Sequence, residues 1–408
     1  MGLSAVSGSS PRRRLAVLIT HPIQYFRPVF AELAADPRVD LLVVFGCDHG
    51  LRARVDPDFG VSFAWDCAPT EGFEHVFVSQ RPLSDLSRWA VALPLAWAAC
   101  RRLRAFRPDA VLVFAYTPAW ITLTTLLLNS SGHKLLLRAD GTDRAFPGGR
   151  FKRLLKDGML RLWYRQFAHV FPIGRDSNAH FRRLGVPHNA RTPVRYAVDV
   201  DFFAEQVRSW CPQRDQLRRE QGIPEQALVL LWSAKITAVK HPTLLLEALD
   251  QLPESVRSRL FLLVVGDGPL RSSFESGAEQ RLPGRCRFVG FRNQRELGAY
   301  YAMADALVFP SRQGETWGLV VNEALQFGCA VIASDHPGSV CDLLAPPAAT
   351  PRGSAVFPSN DAAVFAQALA RFVALYPSGF TSAPVSDLPH PRDLAQAVSG
   401  VLQALVRA

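Results

Sequence analysis

Several features that would decide the class of this 408-residue chain are missing from it. No apolar run is long enough to span a bilayer, because residues 91–100 and 121–129 are short and flanked by charge or proline. The N-terminal arginines are not followed by the apolar segment that a signal peptide needs. We therefore expect a cytoplasmic protein rather than an integral membrane or secreted one.

Cysteine pairs at metal-binding spacing are also missing. The seven cysteines are an odd number and include no C-x-x-C pair, and most of them lie among apolar residues. This pattern indicates buried free thiols in a reducing compartment, and it argues against a disulfide framework or a zinc site.

Acidic residues are too few to balance the basic ones in the first half of the chain only. Residues 1–210 contain 28 Lys and Arg against 18 Asp and Glu, whereas the remainder contains 18 of each. The asymmetry favours an acidic partner for the first half: a phosphorylated substrate, an anionic membrane surface or nucleic acid. No basic–aromatic motif accompanies the charge, so we expect no nucleic acid partner.

Short apolar runs alternate with helical patterns along the whole chain. This alternation is typical of parallel sheets covered on both faces by helices, and the length favours two domains. We predict two Rossmann-like α/β domains whose sheets face a central cleft. The predicted segments are a disordered tail at 1–12, an N-terminal domain at 13–200, a linker at 201–222, a C-terminal domain at 223–385, and a final helix at 386–408 that crosses back to the first domain.

Ligands of such sheets bind beyond the carboxyl ends of the strands. The sequence FLLVVGDGPL has G-x-G after a strand, but position 271 is Arg, so the dinucleotide fingerprint is incomplete. Lys235 and Lys240 follow the strand at 227–235 and precede a helix that starts at Pro242. They are interpreted either as a phosphate clamp or as two solvated surface lysines.

Two glutamates eight positions apart, Glu315 and Glu323, flank a predicted helix start at Gly318 in SRQGETWGLVVNEALQFG. Backbone N–H groups of residues 318–320 at that start can receive a diphosphate. A carboxylate can accept two hydrogen bonds from vicinal hydroxyls, so one acid can hold a ribose and the other a sugar. Without further context, a capping acid and one exposed helix acid explain the pattern equally well.

The order of motifs resembles a known family. Lysines, GDGP, the two spaced glutamates and ASDHPGS follow one another as in the donor domain of retaining GT-B glycosyltransferases of the family-4 type. The resemblance covers roughly residues 165–375 and includes LGVPHNARTPVRYAVDVDFF at the end of the first domain. It implies a GT-B fold and a nucleotide-diphosphate-sugar donor, linked to UDP or GDP.

The resemblance also implies roles for individual residues. Glu323 would hold the ribose and Glu315 the donor sugar, while Lys240 would pair with the phosphates. Backbone groups of Gly318, Leu319 and Val320 would receive those phosphates as well. Ala234 and Lys235 replace the usual Gly-Arg of the family, which keeps the charge but loses the bidentate guanidinium.

The N-terminal half departs from most relatives, because its first loop reads THPIQYFRP. It resembles a subgroup of bacterial polysaccharide transferases that carries HPIQY. His21 would be a catalytic residue and Gln24 an acceptor-binding one. A later segment, LLLRADGTD, offers Arg138, Asp140 and Asp143 where relatives have a histidine. Arg138 and Asp140 would be catalytic, and Asp140 either accepts a proton or caps a turn.

The sequence therefore predicts a retaining glycosyltransferase that needs no metal or cofactor. It would transfer a sugar to a hydroxyl of an acceptor, which is a glycan, a lipid-linked molecule or a small molecule, in bacterial surface polysaccharide synthesis. A nucleotide-sugar epimerase and a non-catalytic sugar-nucleotide-binding protein are the alternatives. Asp199 and Asp201 form a D-x-D that we interpret as a turn. The segment 87–108 is interpreted either as an ordinary helix or as a basic amphipathic helix on anionic lipid at the inner membrane.

Overall fold

The structure is a computed structural model, and it describes residues 12–52, 54–55, 62–114, 116–145, 149–344, 350–377, 379–380 and 384–407. The tail predicted at 1–12 lies outside this part of the chain except for Arg12.

The first domain is built on a six-stranded parallel sheet in the order β5-β2-β1-β6-β7-β8. A two-residue antiparallel pair, β3 with β4, stands apart from this sheet. The strands of the domain are β1 Arg13–Ile19, β2 Val39–Phe45, β3 Arg54–Val55, β4 Ser62–Phe63, β5 His75–Phe77, β6 Ala110–Phe114, β7 Lys134–Ala139 and β8 His169–Pro172. Strands β6 and β8 are buried throughout, as expected for a sheet covered on both faces.

Helices cover both faces of this first sheet. The helices of this domain are α1 Arg27–Ala35, α2 Leu83–Leu86, α3 Trp89–Phe106, α4 Ala119–Ser130, α5 Arg150–Tyr164 and α6 Gly174–Arg183. Buried residues of α3, α4 and α5 share one core with the sheet. The opposite core is formed with α1.

The second domain repeats the architecture with strand order β11-β10-β9-β12-β13-β14, again parallel. Its strands are β9 Leu228–Ser233, β10 Leu260–Val265, β11 Cys286–Gly290, β12 Ala306–Phe309, β13 Ala330–Ser334 and β14 Ala355–Phe357. The remaining helices of the chain are α7 Val200–Trp210, α8 Arg214–Glu220, α9 Pro242–Asp250, α10 Glu254–Arg257, α11 Arg271–Arg281, α12 Gln294–Met303, α13 Val320–Gln326, α14 Gly338–Leu343, α15 Ala362–Leu375 and α16 Pro391–Arg407.

Two segments connect the domains. Residues 200–220 are helical as α7 and α8, and Arg214 and Arg218 of α8 pair with the buried Asp305 of the second domain. Helix α16 returns to the first domain, where Val398 and Leu402 join the core formed with α1. Asp36 at the end of α1 accepts a hydrogen bond of 2.6 Å from Ser399.

The predicted fold class, two parallel sheets in an α/β protein, is confirmed. The helix that follows the first glutamate is shorter than predicted, because it begins at Val320 rather than at Gly318. Gly318 has φ of +87°, outside the right-handed helical region, and a β-carbon there would lie 2.5 Å from the ring of Phe309. The helix ends in a Schellman motif at Gly328: Gly328 N–H donates to Leu325 O and Cys329 N–H to Ala324 O.

Candidate active site

The carboxyl ends of the two sheets face each other across a cleft that the chain itself bridges. Thr316 Oγ1, after β12, donates a hydrogen bond of 3.0 Å to Asp140 Oδ2, after β7. Asn322 Nδ2 on α13 donates to the carbonyl of Tyr196 at 3.0 Å. The loops that follow strands of both domains are therefore in direct contact.

Glu323 lies on α13 and is 1% exposed. Both of its carboxylate oxygens accept hydrogen bonds from tyrosines: Oε1 from Tyr25 at 2.8 Å and Oε2 from Tyr301 at 2.6 Å. Burial raises the pKa of Glu323, although the two hydroxyl donors act in the opposite direction. Tyr25 comes from the first domain and Tyr301 from the second, so one acid joins both halves.

Glu315 lies in the loop ahead of α13 and is only slightly exposed. Its Oε2 is paired with Lys240 Nζ and also accepts a hydrogen bond of 3.3 Å from Ser311. The Lys240 ammonium lies 5.1 Å from the centre of the Phe309 ring. The two residues that the sequence assigned to the sugar and the phosphates therefore pair with each other in this structure.

The turn between the two glutamates offers backbone donors. The N–H groups of Gly318, Leu319 and Val320 donate to no group among the described residues, whereas Val321 N–H donates to Gly318 O and Glu323 N–H to Leu319 O. Helix α13 has only seven residues, so an anion here would be held by these three N–H groups themselves rather than by the dipole of a long helix. Three adjacent N–H groups form a site that an anion can occupy.

Lys235 lies just after β9, close to the glycine-rich turn after β10. Ile236 N–H donates to Asp267 O at 2.8 Å, which holds the two loops together. Gly266 is necessary for this approach, because a β-carbon there would lie 2.0 Å from the carbonyl of Ala234. The G-x-G turn thus sets the position of the lysine-bearing loop.

A cavity of about 880 Å³ lies in the first domain. Its walls are mainly apolar, and they are formed by residues after β1, β6 and β7 and by helices α3, α4 and α5. Its charged or titratable groups include His21, Arg138 and Asp140, together with Tyr116 and Tyr196. Mainly apolar walls with a few polar groups are typical of a small-molecule site.

His21 lies at the carboxyl end of β1 and is held by its neighbours. Its Nδ1 is 2.9 Å from Thr20 Oγ1, and its ring meets that of His49 edge to face at 5.3 Å. Burial, together with repulsion from His49, lowers the pKa of His21 to about 4. At neutral pH the imidazole is uncharged and has one nitrogen available as an acceptor.

Arg138 is 2% exposed and is held by main-chain carbonyls rather than by an acid. Its guanidinium donates to Val194 O at 2.7 Å, to Phe171 O at 3.2 Å and to Pro172 O at 3.3 Å, and it stacks over the ring of Tyr196 at 5.1 Å. Desolvation lowers the pKa of Arg138 to about 10. These contacts stabilise the cavity floor and connect it to the segment that leads to the second domain.

Gln24 is buried in a short 3-10 turn, Gln24–Phe26, and its Oε1 accepts a weak hydrogen bond of 3.6 Å from the Cys67 thiol. Its neighbour Tyr25 reaches Glu323 instead. Asp199 of the D-x-D caps α7, accepting from Phe202 N–H at 3.1 Å, and pairs with Arg27 at 3.5 Å. Among the described residues, no group of three or more His, Cys, Asp or Glu could hold a metal ion.

Sequence reasoning missed the tyrosines. Tyr25 lies within the THPIQYFRP loop that was singled out, but nothing in the sequence connects it to a glutamate 298 positions away. Tyr301 belongs to a helix whose pattern identifies it only as a core residue. Thr316, next to Glu315, gave no signal either, because its role depends on Asp140 in the other domain.

The chain was compared with known proteins. Residues 213–378 match the family described as "Glycosyl transferases group 1". D-inositol 3-phosphate glycosyltransferase of Xylanimonas cellulosilytica is 32% identical over 146 residues, which are 34% of this chain and 33% of the relative. Lipopolysaccharide 1,2-N-acetylglucosaminetransferase of Salmonella typhimurium is 32% identical over 133 residues, 31% of this chain and 35% of the relative. The matched segment spans about a third of these curated relatives.

Solved structures match nearly the whole chain. A glycosyltransferase from Rickettsia africae has a TM-score of 0.64 at 14% identity, covering 97% of this chain and 93% of its own. Anabaena HepE, in complex with UDP and glucose, has a TM-score of 0.61 at 15% identity, covering 96% of this chain and 100% of its own. WaaG, a glycosyltransferase involved in lipopolysaccharide biosynthesis, has a TM-score of 0.61 at 20% identity, covering 95% of this chain and 100% of its own.

The fold is GT-B. The predicted resemblance to glycosyltransferases is supported for residues 213–378, which match the group 1 family model, and this segment contains Lys235, Lys240, Glu315 and Glu323. The retaining family-4 type and the HPIQY subgroup stay predictions. No helix among the described residues is long and apolar enough to cross a membrane.

Proposed function

We propose that this protein is a retaining, metal-independent glycosyltransferase that moves a sugar from a nucleotide-diphosphate-sugar to an acceptor hydroxyl in bacterial surface polysaccharide assembly. The observation that carries the proposal is the cluster after β9 and β12 in one wall of the cleft. It contains Glu315, Lys240, Glu323 and the backbone N–H groups of residues 318–320, which have no partner in the part of the chain that the structure describes. The group 1 match of residues 213–378 supports it.

In this proposal, the nucleotide part of the donor lies against α13. The ribose hydroxyls donate to Glu323, and the diphosphate lies over the N–H groups of residues 318–320 with Lys240 beside it. Lys235 adds a second cation from the adjacent loop. Glu315, released from Lys240 by the phosphates, then accepts hydrogen bonds from the transferred sugar.

Donor binding requires one rearrangement. Tyr25 Oη occupies one oxygen of Glu323, so the ribose has to replace that hydrogen bond. Tyr301 approaches from within the second domain and can keep its bond to the other oxygen. Entry of the donor therefore separates the HPIQY loop from α13, and the cleft opens between the two domains.

The chemistry lies between the two walls of the cleft. The bond between the sugar carbon and the diphosphate oxygen breaks, and Lys240, Lys235 and the backbone donors stabilise the charge that develops on the leaving phosphate. The acceptor oxygen forms the new bond to the same carbon and gives its proton to Asp140, which already contacts the donor wall through Thr316. Neutral His21, which lines the cavity, orients the acceptor there.

A turnover assay tests this function. Nucleotide-sugars based on UDP, GDP and ADP are incubated with the protein and with lipid and polysaccharide extracts of bacterial envelopes, and released nucleotide and product are measured. We expect one donor to be consumed with retained configuration, and Glu323→Ala to abolish transfer. Glu247→Ala, a substitution of an exposed acid on α9, serves as the matched control.

Two outcomes would contradict the proposal. Isomerised sugar without any acceptor would indicate an epimerase instead. Donor binding with neither hydrolysis nor transfer would indicate a binding protein.

A further inference from the structure

Apolar side chains are exposed in one region of the molecule. The described residues include twelve large apolar side chains that are exposed, and ten of them belong to α3, α4 and α5 of the first domain. The two others, Val239 and Val356, are isolated residues of the second domain. Concentration of this kind marks an interaction surface rather than ordinary scatter.

Helix α5 has two apolar faces. Leu160, Trp163 and Tyr164 face the core. A second stripe faces outward at helical spacing and comprises Phe151, Leu154, Leu155, Met159 and Leu162. Leu162 is 65% exposed and Phe151 is 72% exposed, so nothing in the described chain covers this stripe.

Helix α3 carries a parallel stripe with interfacial character. Trp89, Leu93 and Trp97 lie four residues apart and are 73%, 65% and 61% exposed. Arg101 continues the row, with its guanidinium 5.4 Å from the centre of the Trp97 ring. Tryptophan flanked by arginine is typical of segments that lie at a membrane–water interface.

The charge around both stripes has one sign. Residues 88–107 contain five arginines and no acidic residue. Residues 150–165 contain six basic residues, and their single acid, Asp157, is buried and paired with Arg183. The exposed charge of the two helices is therefore positive, which is complementary to anionic phospholipid headgroups.

The two stripes meet at the mouth of the 880 Å³ cavity. Trp89 of the α3 stripe and Met159 of the α5 stripe both line the cavity while being largely exposed. Leu160 and Trp163 continue its wall inward toward Asp140 and His21. A molecule anchored in a bilayer below this face would thus reach the cleft along apolar walls.

We propose that the outward faces of α3 and α5 dock on an anionic phospholipid bilayer and open the cavity to a lipid-linked acceptor. The acceptor part of this inference rests on the proposed function, whereas the docking part does not. The positive charge of the surface and its continuity with the cavity favour a membrane, rather than a second copy of the chain, as the partner that covers it.

Vesicle cosedimentation tests the docking. The full chain is mixed with vesicles of phosphatidylcholine alone or with added phosphatidylglycerol, and the bound fraction is measured at two ionic strengths. We expect binding to the anionic vesicles only, weakened by salt. In the double variant Leu155→Ser/Leu162→Ser, two leucine side chains can no longer be buried in the bilayer. The partition coefficient of the protein between vesicles and water should then fall by about tenfold or more.

Two variants of the second domain act as controls. Val356→Ser removes an exposed apolar side chain and Arg219→Glu reverses an exposed charge, and both should bind vesicles like the unmodified chain. Arg161→Glu, on α5, should weaken binding to the anionic vesicles. The proposal would be overturned if the protein bound no vesicles or bound neutral vesicles as well as anionic ones. It would also be overturned if the control variants lost as much binding as the α5 variants.

Quenching of tryptophan fluorescence by brominated phospholipids tests directly which surface of the protein contacts the bilayer. Tryptophan emission should be quenched on vesicle binding, and Trp89→Phe/Trp97→Phe should remove most of the quenching while leaving cosedimentation largely intact. Unchanged quenching in that variant would contradict the assignment. A dimer that Leu155→Ser/Leu162→Ser converts to a monomer, seen by light scattering, would assign the face to a second copy and overturn it too.

Failure of docking and failure of the proposed transferase function can be told apart. Binding of nucleoside diphosphate involves the second domain and requires no membrane. A chain that binds nucleotide but no vesicle contradicts only the docking surface. A chain that binds vesicles but no nucleotide contradicts only the donor site.

Discussion

Tyr25 and Glu323 are 298 positions apart in the chain, and their side chains share a hydrogen bond of 2.8 Å across the cleft. The carboxylate is fully buried, and its second oxygen is held by Tyr301. In the proposed donor site, a ribose would displace the Tyr25 hydroxyl from Glu323. Donor binding would then be coupled to separation of the two domains.

Removal of the competing hydroxyl should strengthen donor binding. In Tyr25→Phe, one oxygen of Glu323 has no protein donor, and the ribose no longer has to replace one. A hydrogen bond to a charged group contributes about 1.5–3 kcal/mol, so we expect affinity for the cognate nucleoside diphosphate to rise by about tenfold or more. Titration calorimetry measures the change.

Tyr301→Phe is the matched control for this prediction. It removes a hydroxyl from the same carboxylate, but from the side that the donor does not need. We expect weaker nucleotide binding, because Glu323 loses a group that positions it. The same direction of change in both variants would contradict the proposed arrangement.

Glu315 and Lys240 should separate sugar binding from phosphate binding. Glu315→Gln should leave affinity for the nucleoside diphosphate unchanged or higher, because Lys240 loses its protein partner, while transfer of the sugar is lost. Lys240→Met should instead weaken binding of the diphosphate by about tenfold or more. Lys134→Met, which alters an exposed lysine before β7, should change neither. Equal loss of diphosphate binding in both site variants would contradict the separate roles.

His21 should stay neutral well into the acid range. The unfolded chain takes up a proton near pH 6.5, whereas burial holds the pKa of folded His21 at about 4. Between these values the unfolded state binds more protons, so the contribution of His21 to the free energy of unfolding is full above pH 6.5 and falls as the pH decreases toward 4.

Denaturant unfolding at several pH values measures this effect. His21→Gln should flatten the decrease between pH 6.5 and 4, and His188→Gln, a change at an exposed histidine, should not. An NMR titration should give a midpoint near 4 for His21. A midpoint near 6.5 would show that the imidazole is not buried as described.

Arg138 should prove to be a positioning residue rather than a catalytic one. Arg138→Met leaves several buried carbonyls without their donor, and each unsatisfied group costs about 1–3 kcal/mol. We expect a clear decrease in the free energy of unfolding, with nucleotide affinity of the folded protein unchanged. Full stability together with loss of transfer would instead support the catalytic role that the sequence suggested.

The sheets were predictable from the sequence because their strands are continuous apolar runs. Ten of these runs correspond to strands of the two sheets, including the edge strands β8 and β11, but β5 and β14 were missed, since each has only three residues. The start of α13 was misplaced by two residues, because a glycine permits a helix start but does not require one.

The site was only partly predictable. Glu315 and Glu323 stand out because acids are rare between buried strands, whereas Tyr25 is an ordinary aromatic residue until the fold brings it to α13. The sequence left segment 87–108 open between an ordinary helix and a basic amphipathic one, and it could not show that α5 keeps an apolar stripe outside the core. Such properties depend on the packing of distant segments.

The most direct test of the donor site is titration of UDP, GDP and ADP into the chain and into Glu323→Gln, which keeps the size of the side chain and an acceptor for Tyr25. We expect one nucleoside diphosphate to bind the unmodified chain with a one-to-one ratio, and its affinity to fall by about tenfold or more in the variant. Equal affinity for both proteins, or no binding of any of the three nucleotides, would contradict the assignment of Glu323 to the ribose.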